Sequence, residues 1–251
     1  MSAYTAVLSE NGVRFAEKLS RDFDIVLLPS ESELSREVAS HADMTTFVVG
    51  DSLLVPKEHL KRNAPLFEAL AKRTAHRLVA DETPRGEKYP NDIALNILIC
   101  DRFAFSLAKY TSPAATEELK LRGMTHVNIK QGYAACSSLS FGTSIVSADR
   151  GVIRAATSCD LECIEISSRN ITLEGLSEGF IGGASGVCED KIYFLGNIER
   201  HPDGAKIVRF AYERGFECVS LSSSVLSDLG GIKFIRNAQL TPRQEAPCTC
   251  R

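Results

Sequence analysis

The sequence predicts an α/β fold: five units of about fifty residues closed into a pseudo-symmetric, five-bladed α/β propeller, one blade being built from both chain ends. Three observations carry this expectation. Short apolar runs, many rich in Val and Ile, alternate with helix-like segments along the chain. A polar or glycine-marked opening, a hairpin, a helix and a returning strand recur, with openings near residues 43, 91, 132, 179 and 228. The last opening, "SDLGGIKFIR", has no helix or returning strand after it, whereas the N-terminal "TAVLSENGVRFAEKLSRDFDIVLL" offers a strand, a helix and a strand. Joining the two ends completes the fifth unit and hides its sheet edges. The competing expectation is an ordinary α/β domain whose strand spacing is regular by accident.

In chain order, 10–21 reads as a helix and "DIVLLP" at 24–29 as a strand. The stretch "HADMTTFVVGDSLLVPKE" at 41–58 holds a His-x-Asp pair, a strand-like run at 46–50, a Gly-Asp turn and a second apolar run. A helix starts at Pro56 and covers 57–73. "NILIC" at 96–100 is the next strand, and Pro113 and Gly123 frame a helix over 112–122. Strands follow at 143–148, 163–166 and 191–196. The helix at 203–214 has Asp203 as its expected N-cap and Gly215 as its stop. Residues 1–236 are expected to form a single domain, and "NAQLTPRQEAPCTCR" at 237–251 a flexible tail.

With 251 residues, 44% of them hydrophobic, the chain has material for a sizeable core. A formal net charge of -3 without long like-charge blocks predicts no nucleic-acid partner. No signal-peptide pattern opens the chain and no apolar run approaches the roughly 20 residues of a membrane span. A cytoplasmic protein without a membrane partner is expected. Eight cysteines without an export signal read as reduced thiols. No CxxC pair occurs and the five histidines do not cluster with cysteines, so no metal or other cofactor is expected. Nothing in the sequence sets the oligomeric state.

Three short motifs carry a family resemblance: His41-Ala-Asp43, "YPNDIALNILI" at 89–99, and "GYAACSSL" around Cys136. On these the chain resembles the guanidino-group-modifying enzymes, or penteins, among them arginine deiminases, amidinotransferases and dimethylarginine hydrolases. The resemblance spans about residues 4 to 236 and implies a five-bladed α/β propeller. It further implies His41 and Cys136 as catalytic residues, with the His-x-Asp motif opening one blade and the cysteine a blade two further on. Asn96 falls at the place of the family's asparagine. The "QGYxxCS" and "GFIGGASG" motifs also suggest an uncharacterised subfamily, for which no activity is implied. Two departures stand out. The blade order looks circularly permuted, and Gly182 and Gly183 stand where family enzymes commonly carry guanidinium-binding acids.

A cysteine thiolate is a competent nucleophile toward an sp² carbon when its surroundings lower its pKa. Cys136 between small residues is therefore expected to attack, and to be alkylated faster than the other internal cysteines. The alternative is a small buried packing residue. His41 would protonate a leaving group and then deprotonate water; the alternative is a turn residue. Substrate contact is expected from Asp43, Asn96, Tyr133, Gly182, Gly183 and Asp228, although close packing equally explains the two glycines. Asp149 and Asp228 are read either as added negative charge or as turn and cap residues. His201 is read as helix punctuation. Cys248 and Cys250 form only a weak CxC signal. The expected function is a cysteine-dependent hydrolase or transferase acting on a C–N bond of a small guanidine- or amidine-like molecule. The alternative is a pentein that only binds or senses a ligand, as the ribosome anti-association factors of this fold do. Without acids at 182 and 183, free arginine and agmatine are expected to bind weakly.

Overall fold

The computed structural model describes residues 2–238. Five three-stranded sheets repeat one pattern, in which the first strand pairs antiparallel with the middle strand and the third pairs parallel to it. Unit one combines Lys233–Arg236, Tyr4–Ser9 and Asp24–Leu28, so the C-terminal strand lies against the N-terminal one, with Val7 opposite Lys233. Unit two holds Phe47–Val49, Ser52–Pro56 and Arg77–Asp81. Unit three holds Leu98–Cys100, Phe103–Ser106 and Thr125–Asn128. Ser138–Phe141, Ser144–Ser147 and Glu162–Glu165 make unit four, and Ser185–Cys188, Lys191–Phe194 and Glu217–Ser220 make unit five. A separate two-stranded sheet pairs Ile171–Thr172 with Leu226–Ser227.

Each middle strand is apolar on both faces because each face meets a different neighbour. Successive side chains point to opposite sides of a strand. Leu53 and Val55 accordingly pack with Val7 and Ile235 of unit one, while Leu54 packs with Ala104 of unit three. Phe103 and Phe105 turn the other way, onto Ile145 of unit four. Val146 joins Ile192 and Phe194 of unit five, and Tyr193 joins Ala6 and Leu8 of unit one. The shared cores thus run from unit one through unit five and back to unit one. Burying each such Leu or Phe is worth about 1.5–3 kcal/mol.

Between the middle and third strands stand the helices Val13–Leu19, Lys57–Arg62 with Ala64–Thr74, Pro113–Leu121, Arg150–Thr157 and Gly204–Tyr212. The expected helix 57–73 is broken at Asn63, because Pro65 lacks the N–H that would continue the first helix and instead starts the second. Asp203 stands at the N-cap as expected, but its side chain makes no capping hydrogen bond: its Oδ2 accepts from the Ser167 N–H at 2.7 Å instead. The expected tail falls largely outside the described residues, as do Cys248 and Cys250. Among the described residues no helix is long and apolar enough to cross a membrane.

Candidate active site

The unit openings are where the candidate residues meet. In the His-x-Asp stretch His41 stands at the N-cap of a single helical turn, Ala42–Thr45, immediately before the first strand of unit two. Cys136 sits in the equivalent turn, Ala134–Ser137, before the first strand of unit four. First strands of all five units line a cavity of about 230 Å³ through Val48, Ile99, Leu139, Val187 and Lys233, and Asp43 and Gly182 also border it. A second cavity of about 260 Å³ is bordered by His41, Asp228, Arg36, Glu37 and Glu174. His41 thus borders the second cavity, while Cys136 lines neither.

Asp43 and Asp228 form the electrostatic centre. His41 Nδ1 lies 4.0 Å from Asp43 Oδ1 and 3.8 Å from Asp228 Oδ1. All three side chains are buried. Asp228 accepts the Phe180 N–H at 2.9 Å and the Gly230 N–H at 3.1 Å. His41 Nδ1 and both carboxylate oxygens of Asp43 are buried without a hydrogen-bond partner among the described residues. A buried polar atom left unpaired costs about 1–3 kcal/mol. Burial, then the charge of Asp43, pushes the Asp228 carboxyl up to about 7. Burial holds the His41 imidazole below its ordinary pKa, against the attraction of Asp43.

Cys136 is buried beside the same pair. Burial, then the negative charges of Asp43 and Asp228, push its thiol well above the usual range, and the Asn96 contact only partly offsets them. Desolvation and the two carboxylates thus favour the protonated thiol.

Asn96 braces this turn. Its Oδ1 accepts the N–H groups of Ala135 at 2.7 Å and Cys136 at 3.3 Å. Its Nδ2 faces Cys136 Sγ at 2.9 Å and donates to the Asp43 carbonyl at 3.2 Å. Both ends of the amide are engaged within the protein. Tyr133 donates its hydroxyl to Asp92 Oδ2 at 2.6 Å, and its ring lies 5.6 Å from Tyr89 and 6.3 Å from Phe180. Asp149 is a helix cap, accepting from Gly151 and Val152, and stands apart from the site. His201 is also local structure, with Nδ1 accepting from the Asp203 N–H at 3.0 Å.

Gly182 and Gly183 leave no room for side chains. A Cβ on Gly182 would lie 2.1 Å from the Ala135 carbonyl oxygen, and one on Gly183 would lie 1.9 Å from Asp228 Oδ1. The Asp228 carboxylate thus occupies the space that a side chain at 183 would enter. An acid is missing from residue 183 in sequence, yet the Asp228 carboxylate stands beside that position in space. Gly230, at φ +76°, brings that loop against His41, where a Cβ would come within 2.3 Å of the histidine Cβ.

Sequence reasoning missed three residues. Lys233 lines the cavity with Asp43. Asp92 anchors Tyr133 and keeps one carboxylate oxygen unpaired. Arg85, buried and paired with Asp81 at 3.2 Å, donates to the carbonyls of Met44 at 2.9 Å and Asp92 at 3.3 Å. It ties the opening of unit two to that of unit three. The "DETPRG" stretch reads as a loop and carries no sign of a buried charge. For Lys233, the strand position beside "GG" was a usable signal.

A family model described as a family of unknown function, DUF6873, matches residues 9–233. The chain belongs to that family. No curated protein matches its sequence. In structure, this DUF6873 chain is similar to DDAH from Pseudomonas aeruginosa, solved as a cysteine-to-serine mutant complexed with citrulline. The TM-score is 0.56 at 9% identity, over 94% of this chain and 98% of that one. It is also similar to an agmatine deiminase from C. jejuni, at TM-score 0.51 and 7% identity over 88% and 87% of the two chains. SxtG, an amidinotransferase from Microseira wollei, gives TM-score 0.53 and 11% identity over 94% of this chain and 81% of its own. These likenesses show a shared fold.

Proposed function

We propose that residues 1–236 form one pentein domain, its five sheets set as propeller blades around the cavity bearing Asp43, and that it is a cysteine-dependent enzyme. The reaction is cleavage or transfer at a C–N bond of a small amidine or guanidine. The single observation that carries this reading is the pair of buried carboxylates, Asp43 and Asp228, set beside the buried Cys136 thiol and pushing it upward. A planar cation with N–H donors fits that pair, each charge-assisted hydrogen bond being worth about 1.5–3 kcal/mol. Such a cation also cancels the field that holds the Cys136 thiol protonated, so binding itself activates the nucleophile.

The steps follow from the charges. The thiol proton passes to neutral His41. The thiolate attacks the amidine carbon and forms a C–S bond. Imidazolium returns the proton to the leaving nitrogen as the C–N bond breaks and an amine departs. Water then adds to the same carbon with His41 taking its proton, the C–S bond breaks and the thiol is restored. An acceptor amine in place of water turns hydrolysis into amidino transfer. Asn96 holds the Cys136 turn throughout.

The test is incubation with a chloroacetamidine, followed by intact-mass and peptide analysis. A single covalent adduct on Cys136, absent from Cys136→Ala and blocked by bound amidine, is expected. Labelling of Cys136 no faster than of Cys100 would reject an enzymatic role and leave a binding protein. Calorimetric titration with arginine, agmatine and a neutral ureido analogue then sets the substrate. The relocated carboxylate predicts that at least one cation binds more tightly than the neutral analogue.

A further inference from the structure

The Asn96 amide is fully buried where the openings of units two, three and four meet. Neighbours of fixed role decide how it lies. Its Oδ1 faces the backbone N–H groups of Ala135 at 2.7 Å and Cys136 at 3.3 Å, which can only donate. Its Nδ2 faces the Asp43 backbone carbonyl at 3.2 Å, which can only accept. A flipped amide would set donor against donor and acceptor against acceptor. One N–H therefore serves the carbonyl. The other is left between two sulfurs, Cys136 Sγ at 2.9 Å and Met44 Sδ at 3.1 Å. Neutral sulfur is a weak acceptor, and bracing the turn takes only Oδ1 and the first N–H.

We propose that Asn96 is a catalytic residue as well as a brace: its second N–H is held against Cys136 Sγ and hydrogen-bonds the sulfur as a thiolate. This rests on the functional reading above and adds a residue to it. A hydrogen bond to an ionised acceptor is roughly twice as strong as one to a neutral acceptor, so an ionised Sγ takes this N–H from Met44 Sδ. The sulfur carries charge twice in the cycle: when its proton passes to His41, and when the C–S bond breaks and the sulfur leaves. Asn96 serves both moments without moving, because two backbone N–H groups pin its Oδ1. The charged and titratable groups facing Cys136 are Asp43 from the opening of unit two, Asp228 from the loop before the first strand of unit one, and Tyr133 from the cysteine's own opening. His41 stands beside both carboxylates, and Lys233 borders the cavity with Asp43. The segment packed over Cys136 contributes the apolar Leu34 and Ala39. The two carboxylates oppose a thiolate until a cation binds, whereas the amide N–H favours it from the start.

The experiment is the pH dependence of Cys136 alkylation by iodoacetamide in the full-length protein, read by peptide mass so that other cysteines do not interfere. Asn96→Ala removes donor and brace without adding charge. Asn96→Asp keeps the acceptor for both N–H groups and removes the donor. Loss of the donor displaces the pH–rate curve upward by about one unit, so Asn96→Ala is expected to slow alkylation about tenfold near neutral pH. Asn96→Asp is expected to slow it further, since its carboxylate adds a negative charge. A purely bracing amide predicts the reverse for alanine: a loosened turn exposes the thiol and speeds alkylation at every pH. An unchanged or faster rate in Asn96→Ala, with native Cys136 reacting selectively with chloroacetamidine, overturns the role of Asn96 while the functional reading stands. Slowing in Asn96→Asp alone overturns it too, since charge rather than the lost donor is then responsible. A native Cys136 that does not react selectively with chloroacetamidine overturns both, there being no activated thiolate to hold. Thermal unfolding of each variant confirms that folded protein is being compared. Should alanine fail to fold, Asn96→Ser replaces it with the same expected slowing, its hydroxyl ending an atom short of the amide nitrogen.

Discussion

Asp228→Asn removes one charge from the buried pair at nearly constant shape. The Asp228 carboxyl is raised from 3.8 to about 7 and its side chain is 1% exposed, so solvent screening is slight. The sign follows from proton binding: between the unfolded and folded pKa values the folded state binds more protons. Asp228 therefore destabilises the fold progressively as pH rises from about 4 to about 7, by up to about 4 kcal/mol, and the penalty is complete above that range. Asparagine escapes this penalty but has one acceptor oxygen where the carboxylate has two. It leaves either the Phe180 or the Gly230 N–H without its present partner, at about 1–3 kcal/mol. The variant should be more stable than the native protein by about 1–3 kcal/mol near pH 8, and less stable near pH 4. Urea unfolding of both proteins across that range measures the difference, and changes common to both cancel. A difference independent of pH would refute the reasoning, because it would mean that Asp228 is not a strained carboxylate. Amidine capture should move oppositely, rising through about pH 7 in the native protein and collapsing in the variant.

Asp43→Asn should weaken amidine binding about ten- to hundredfold while speeding iodoacetamide attack on Cys136, because one of the two charges that raise the thiol is gone; parallel calorimetry and alkylation check both halves. Glu31 is buried against His59 at 3.0 Å and paired with Arg62, and these partners outweigh the upward push of burial and hold its carboxyl near about 2. It anchors the segment whose Leu34 and Ala39 cover Cys136. Glu31→Gln should cost about 3 kcal/mol or more and accelerate alkylation of Cys136; unchanged labelling would show that the segment is no cover. Phe105→Ala should cost about 3–5 kcal/mol in unfolding measurements, since its ring fills the core shared by units three and four. Cys136→Ala should abolish the chloroacetamidine adduct with little change in stability, as seen by mass and thermal unfolding.

The period of the chain was legible because each unit must bury its middle strand on both faces. That demand leaves apolar runs such as "SLLVP" and "KIYF" at regular intervals, and it left the two incomplete ends as complements. Tyr4–Ser9 and Lys233–Arg236 do pair, as the missing halves required. His41, Asp43 and Cys136 came forward through short motifs that carry a family resemblance, and each lies at a unit opening. What local sequence does not carry is which remote side chain fills a given space. Gly183 reads as a lost acid, and only the folded chain brings Asp228 to within van der Waals reach of it. Arg85 and Asp81 read as loop charges until packing buries them together. The state of the thiol lies furthest from the sequence. It depends on desolvation and on charges tens of residues away along the chain, quantities that exist only once the units have closed on one another.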